Sequence, residues 1–270
     1  MKYNKMRAIV SVIILFTIWS ACQQTNTNTA KKEAQPNEVL VLGTIHSGHL
    51  REASYNLEVL TTLIQAINPD VILTEIPPDR FPIAAKEFAE KDTITEPRVK
   101  RFPEYVDVIF PLSKTMDFEI IPTAGWTKEM ADQRRDQLAA IQKDSSRATE
   151  WAALTRAGQL SDSLLTASGR SSDPYWINSD AYDELVEIEL SVYNELFNEE
   201  LGLGGWDNIN EAHYHYIAKA LDEYTGQGKR MLITYGAGHK GWFLRALKKR
   251  TDIQLISLAE AVKSKRQLEK

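Results

Sequence analysis

Short apolar runs alternate with amphipathic segments along most of this chain. The runs predict strands at residues 39–43, 71–75, 119–123, 230–235 and 253–258. Between the first two, Leu57, Leu60, Ile64 and Ile67 recur at helical spacing, and the helix should end at Asn68-Pro69. Strands without polar alternation are typical of a parallel sheet covered on both faces. Because the strand–helix–strand order recurs at both ends, we predict an α/β fold with a mostly parallel sheet, helices on both faces and two related halves.

The middle of the chain has a different pattern. Residues 128–156 and 182–197 are helical in composition, whereas residues 161–173, rich in serine and glycine, are predicted to be a mobile loop. A helical insertion at about 127–200 is longer than a plain connection, and we expect a helical layer or a cap over the strand ends. Shorter helices are predicted at 82–90, 104–116, 210–224 and 241–249. Residues 38–265 together are long enough to bury the core of a single domain.

The amino-terminal residues indicate export. Basic residues precede the apolar run Ala8 to Ile18, which is too short to span a bilayer unaided but suits a signal peptide over residues 1–21. The run leads into Ala21-Cys22, which resembles a bacterial lipobox, with Trp19 where leucine is usual. We expect Cys22 to carry lipid such as palmitate and residues 22–37 to be a flexible tether. The expected location is the bacterial cell envelope, membrane-anchored and facing the periplasm or the exterior. An ordinary secretory signal and an uncleaved anchor are the alternatives.

Charge and cysteine content narrow the classes of function. Removing residues 1–21 deletes three positive charges and no negative one, which takes the formal net charge from -5 to -8. Nucleic acid is therefore not an expected partner, since its binding normally demands a basic face. Cys22 is the only cysteine, so lipidation leaves no thiol for a disulfide, a thiolate metal site or a nucleophile.

Three candidate functional residues follow predicted strands. His46 ends the segment Gly43-Thr44-Ile45-His46, His239 ends Gly236-Ala237-Gly238-His239, and Glu75 closes the strand 71–75. In open parallel sheets, ligands bind outside the carboxyl ends of the strands. We therefore predict that these three side chains meet in one crevice. Together they suit a divalent metal with open positions for water, with His49 as a fourth ligand or a general base.

The same groups could act without a metal. Glu75 could orient a histidine that activates water or a substrate hydroxyl. The amides of Gly236 and Gly238 could stabilise an oxyanion. His213 and His215 lie two apart on one predicted helix, so one of them is expected on its solvated face. Other polar and aromatic residues are assigned to capping or packing: Asn208, Asn210, Trp126, Trp206 and Trp242.

The paired Gly-x-x-His segments and Glu75 resemble the TraB/GumN family, which includes the animal Tiki proteins. This family belongs to a wider group with erythromycin esterase-like and ChaN-like proteins. The similarity covers residues 39–76 and 208–258, and it implies an α/β fold whose site gathers His46, Glu75 and His239. Some relatives are metal-dependent proteases, some are esterases of macrolide lactones, and ChaN-like lipoproteins bind haem. The stretch 206–211 lacks the arginine-bearing motif that TraB-type relatives often show there.

We therefore expect an exported, metal-assisted hydrolase that cleaves an ester or amide bond in a small-molecule or peptide substrate. His46, Glu75 and His239 would carry the chemistry, and His49 or His215 would assist proton transfer. The alternative is a non-catalytic lipoprotein that binds haem or another ligand through exposed histidine and tyrosine side chains. A scaffold without chemistry is a third hypothesis.

Overall fold

The computed structural model of the protein describes residues 34–170 and 172–264. The predicted signal peptide, Cys22 and the predicted tether up to residue 33 lie outside these ranges. The last tether residues are paired, because Gln35 forms a parallel bridge with Gln227 and the first strand begins at Asn37. None of the helices in the described ranges combines the length and the apolar character that a membrane crossing requires.

Within the described residues, five parallel strands form the centre of the fold. They are β1 (Asn37–Thr44), β2 (Val71–Thr74), β3 (Glu119–Pro122), β4 (Arg230–Gly236) and β5 (Ile253–Leu255). Their order across the sheet is β3-β2-β4-β1-β5. The predicted α/β fold with a parallel sheet is confirmed, whereas the relation between its two halves stays a prediction. Because β4 lies between β1 and β2, the carboxyl ends of these three strands are neighbours.

Helices surround this sheet and fill the middle of the chain. In the described ranges they are α1 (Leu57–Ile67), α2 (Phe81–Lys91), α3 (Pro97–Lys100), α4 (Phe110–Leu112), α5 (Lys128–Lys143), α6 (Ala148–Ala167), α7 (Pro174–Ile177), α8 (Asp180–Phe197), α9 (Trp206–Glu223), α10 (Ala237–Leu247) and α11 (Leu258–Lys263). A single π-helical turn, Glu104–Ile109, precedes α4, and a 3-10 turn, His46–Leu50, follows β1.

Apolar side chains cover both faces of the sheet. On one face Leu40, Leu42 and Ile72 pack with α1 and the π-helical turn, and on the other Val39 and Val41 pack with α9 and α10. Alternate residues of one strand thus enter opposite cores, which explains why the strands are apolar throughout. A third cluster, formed by Ile141, Tyr193, Phe197 and Leu201, belongs to the helical insertion.

The sequence-based boundaries of a predicted loop and of the last predicted strand are wrong. The predicted loop at 161–173 is mostly helix, since α6 continues to Ala167. Ser161 is buried and its hydroxyl donates to the carbonyl of Leu185 in α8, so a serine that favours loops is held by a tertiary contact. The predicted strand at 253–258 stops at Leu255, because Ser257 and Glu260 form a capping box that begins α11.

Candidate active site and metal centre

The carboxyl ends of β1, β2 and β4 bring the three predicted residues together. His46 follows β1 by two residues, Glu75 directly follows β2, and His239 lies in the first turn of α10 after β4. All three side chains line one cavity of about 250 Å³. The helix that carries His239 begins at Ala237, earlier than the predicted 241, so His239 is a helical residue rather than a loop residue.

His46 is held in an unusual backbone conformation. Its φ is 48°, in the left-handed region that histidine seldom adopts. Its Nδ1 donates to Oε1 of Glu104 at 2.6 Å, because a carboxylate oxygen can only accept. This bond fixes the tautomer and leaves the Nε2 lone pair free, 3.9 Å from Oε2 of Glu75. A side chain at Gly236 would place its Cβ 2.5 Å from that Nε2, so glycine is required there.

Glu104 is a buried residue that the sequence analysis missed. It lies in the π-helical turn, fully buried, and also accepts from the hydroxyl of Thr44 at 3.0 Å. Its Oε2 has no hydrogen-bond partner among the described residues. The sequence contained a signal for the burial of Glu104, since Glu104 and the apolar residue Val108 are four residues apart and share a helical face. A carboxylate on such a face indicates a buried acid with a partner, and that partner is His46.

His239 has different surroundings from His46. Its ring stacks on Trp206 with centroids 4.6 Å apart and also faces Phe243 at 5.9 Å. Its Nδ1 donates to Oδ1 of Asn210 at 2.8 Å, and the amide nitrogen of Asn210 is used by the carbonyl of Trp206. The Nε2 lone pair of His239 is therefore free for a metal or a proton. Asn210 lies inside α9 rather than at its end, so its predicted capping role is wrong.

His213 joins the site in place of His215. His215 is exposed on α9, whereas His213 is buried and lines the cavity. One ligand atom each from Glu75, His213 and His239 lies within 4.8 Å of the others, so a Glu/His/His cluster at metal-binding spacing is present. His46 is not part of that cluster. The cluster at this spacing therefore contains His213 where we expected His46.

The proton positions decide which members of this cluster suit a metal. Nδ1 of His213 accepts from the amide of Gly125 at 2.9 Å, which places the hydrogen of the neutral ring on Nε2. Neither nitrogen of His213 then offers a free lone pair. Glu75 and the Nε2 of His239 do offer lone pairs, so these two groups are the protein ligands that could hold a divalent cation, with its other positions open.

The four titratable groups of the site differ in the direction in which their pKa is shifted. Burial lowers the pKa of His46, but the hydrogen bond to Glu104 and the charge of Glu75 outweigh it, so the pKa is raised. Burial lowers the pKa of His213 to about 3. Burial also lowers the pKa of His239, and the proximity of the His213 and His46 rings lowers it further. Burial raises the pKa of Glu75, against the opposing effects of His46 and the amide of Gly236. His213 and His239 are therefore neutral at neutral pH, whereas His46 holds a proton more tightly than an ordinary histidine does.

His49 does not face the cavity, contrary to our expectation that it assists there. Its Nδ1 donates to the carbonyl of Tyr55 at 2.6 Å, and its Nε2 accepts from the amide of Ile45 at 3.1 Å. Both ring nitrogens are thus committed to the backbone, and the side chain is buried. These bonds tie down the turn that presents His46, so His49 is a positioning residue.

Further buried groups hold the strand ends. The hydroxyl of Tyr105 accepts from the amide of Glu75 and donates to the carbonyl of Thr234, both at 2.8 Å, which joins β2 to β4. The amide of Gly236 donates to Oε2 of Glu75 at 3.0 Å, so it is not free to stabilise an oxyanion as we predicted. Trp126 and Trp206 line the cavity, whereas the indole of Trp242 donates to Asp207.

No protein-family model matches this chain, and no curated protein or solved structure matches it either. The resemblance to the TraB/GumN family therefore rests on the motif residues alone.

Proposed function

We propose that the protein is an exported hydrolase that cleaves an ester or amide bond at the crevice lined by His46, Glu75 and His239. The observation that carries this proposal is the free Nε2 of His46, which lies beside Glu75 while Glu104 holds the other ring nitrogen. A histidine oriented by a carboxylate is the usual arrangement of a general base. Its strained backbone supports the same role, since such strain persists where the surrounding structure maintains it.

His46 would take a proton from the attacking water. Its raised pKa makes His46 a stronger base than an ordinary histidine, which favours transfer of a proton to it from water. The proton would move to Nε2, and the charge on the ring would be stabilised by Glu104 and Glu75. When the leaving group departs, the same Nε2 would return the proton to it. Water and substrate would enter through the open side of the cavity, where 36 % of the His46 side chain is exposed.

Glu75 and His239 would hold a divalent metal ion. A bound metal would lower the pKa of coordinated water and polarise the carbonyl of the substrate. Asn210 fixes the tautomer of His239 that leaves Nε2 free, as partners of metal-binding histidines usually do. The first amides of α10, which have no carbonyl partner within the helix, would assist negative charge that develops nearby.

Membrane attachment through lipidated Cys22 completes the proposal. It would hold the catalytic domain at a membrane surface of the cell envelope, and this part rests on the amino-terminal sequence. Mass spectrometry of the protein purified from membranes tests it. A lipid adduct on Cys22 supports the anchor, and an intact amino terminus that begins at Met1 contradicts it.

The function is tested by hydrolysis of a panel of chromogenic esters and fluorogenic peptides, combined with elemental analysis of protein purified without chelator. We expect turnover, and a metal content that is lost in Glu75→Gln. His215→Gln serves as the matched control, because His215 is exposed on α9 and away from the cavity. A haem absorbance band that depends on His46 or His239, without hydrolysis of any substrate, would instead support the ligand-binding alternative.

A further inference from the structure

A second cavity, of about 330 Å³, adjoins the candidate site and shares Glu75, Arg101, Phe102 and Trp126 with it. Its cationic lining consists of Arg80, Arg98, Arg101 and Lys128, and we call it the cationic cleft. We infer that the cationic cleft binds an anionic group of the substrate, a carboxylate or a phosphate, while the scissile bond lies at Glu75. This inference rests on the proposed function for its second half, because only a hydrolase has a scissile bond to place.

The balance of charge in the cleft differs from that of the whole chain. The chain carries 37 acidic and 32 basic residues. Among the described residues that line the cationic cleft, Glu75 is the only acid against the four cations. An acidic protein that concentrates cations beside its candidate site creates a local attraction for anions, strengthened by the concave, partly apolar walls.

Two of these four cations form close ion pairs among the described residues, and two do not. Arg80 pairs with Asp79 at 3.1 Å, and Lys128 pairs with Asp132. By contrast, neither Arg98 nor Arg101 has a carboxylate within 4.0 Å in the part of the chain that the structure describes. These two guanidinium groups therefore retain donors for a ligand, and a guanidinium matches the two oxygens of a carboxylate or phosphate.

Arg98 is also held in place before any ligand binds. Its Nη2 donates to the carbonyl of Trp126 at 2.6 Å, and its backbone amide donates to the side chain of Glu96 at 2.8 Å. A donor fixed by the fold loses less conformational entropy on binding. Glu75 repels an anion, so the charged end of the substrate would lie towards Arg98 and the reacting bond towards Glu75.

The test uses small anions in isothermal titration at low salt. The probes are N-benzoylglycine for a carboxylate, phenylphosphonate for a phosphate-like group, and N-benzoylglycinamide as the uncharged match. We expect the charged probes to bind, with affinity about tenfold weaker in Arg98→Gln and weaker again when Arg101→Gln is added. The anion that binds more tightly identifies the anionic group of the substrate, carboxylate or phosphate. Arg156→Gln, an exposed arginine of α6 outside the cleft, should have no effect.

Two results would overturn the inference. The first is that neither N-benzoylglycine nor phenylphosphonate binds more tightly than the uncharged N-benzoylglycinamide. The second is that Arg156→Gln weakens anion binding as much as Arg98→Gln does. Arg101→Gln alone guards against a folding defect, because Arg101 is exposed. The Glu75→Gln variant separates this inference from the proposed function, since it should stop hydrolysis but retain binding of both anions. If the protein binds the anions selectively but hydrolyses no ester or amide, the proposed hydrolase function is refuted and the anion-binding cleft is supported.

Discussion

The two Gly-x-x-His segments are alike in sequence and differ in almost every structural respect. The first ends in a 3-10 turn, where His46 has a left-handed backbone and a carboxylate partner. The second begins the helix α10, where His239 is stacked between aromatic rings and bonded to a neutral amide. Consequently the pKa of His46 is raised and that of His239 is lowered. The spacing of a motif thus places a side chain, whereas its partners determine its chemistry.

The largest expected effect comes from removing the proposed base. In His46→Ala, kcat/KM should fall by about 10²- to 10⁴-fold, the usual contribution of a general base. Folding should persist at reduced stability, because the ring is partly exposed but its loss leaves the buried carboxylate of Glu104 without its partner. Steady-state kinetics and circular dichroism measure the two effects. A similar loss of activity in the control His215→Ala would show that the effect is not specific to the site.

Replacing the partner of His46 should have the next largest effect. Glu104→Gln keeps the shape of the side chain and removes its charge, so we expect a loss of roughly 10- to 100-fold in kcat/KM. The pKa of His46 should also fall, since Glu104 helps to raise it. The basic form of His46 would then predominate at lower pH, and the rising limb of the pH–rate profile should move towards acid. An unmoved limb would contradict the role of Glu104.

A carboxylate in place of Asn210 would give His239 the kind of partner that His46 has. Asn210→Asp gives the ring a carboxylate partner, so the pKa of His239 should rise and the ring should become protonated at mildly acidic pH. We expect the activity of the variant to fall below that of the wild type as the pH is lowered and to approach it again as the pH rises. Parallel pH–rate profiles of the variant and the wild type would show that the neutral partner is unimportant.

The smallest effect concerns stability. Burial raises the pKa of Glu75, so its charged form is disfavoured in the fold, and stability is lost as the pH rises through that raised pKa. Glu75→Gln removes this cost at neutral pH, although it also removes the attraction to His46. In protein freed of metal by a chelator, the melting temperature should rise by about 2–4 °C for each kcal/mol gained. A variant that melts at a lower temperature than the wild type would contradict the unfavourable burial.

The sequence predicted the strands and the meeting of His46, Glu75 and His239, because both depend on local pattern and on the rule for parallel strand ends. It could not predict their partners. Glu104 is 58 residues from His46 in the sequence, and Asn210 is 29 residues from His239. Only the packing of separate helical elements brings each pair into contact. The orientation of His49 was missed for a related reason, since its bond to the carbonyl of Tyr55 depends on the course of a turn. The continuation of α6 past Ser161 likewise depends on a contact with α8.

The most direct test of the contrast between His46 and His239 is NMR titration of the five histidine rings, assigned with single His→Gln variants. We expect His46 to titrate above its ordinary pKa of 6.5, and His213 and His239 to remain neutral throughout mildly acidic and neutral pH. The titration of His46 should move to lower pH in Glu104→Gln. If His239 titrates near 6.5, or if the pKa of His46 is the same with and without Glu104, the two rings do not have the opposed roles proposed for them.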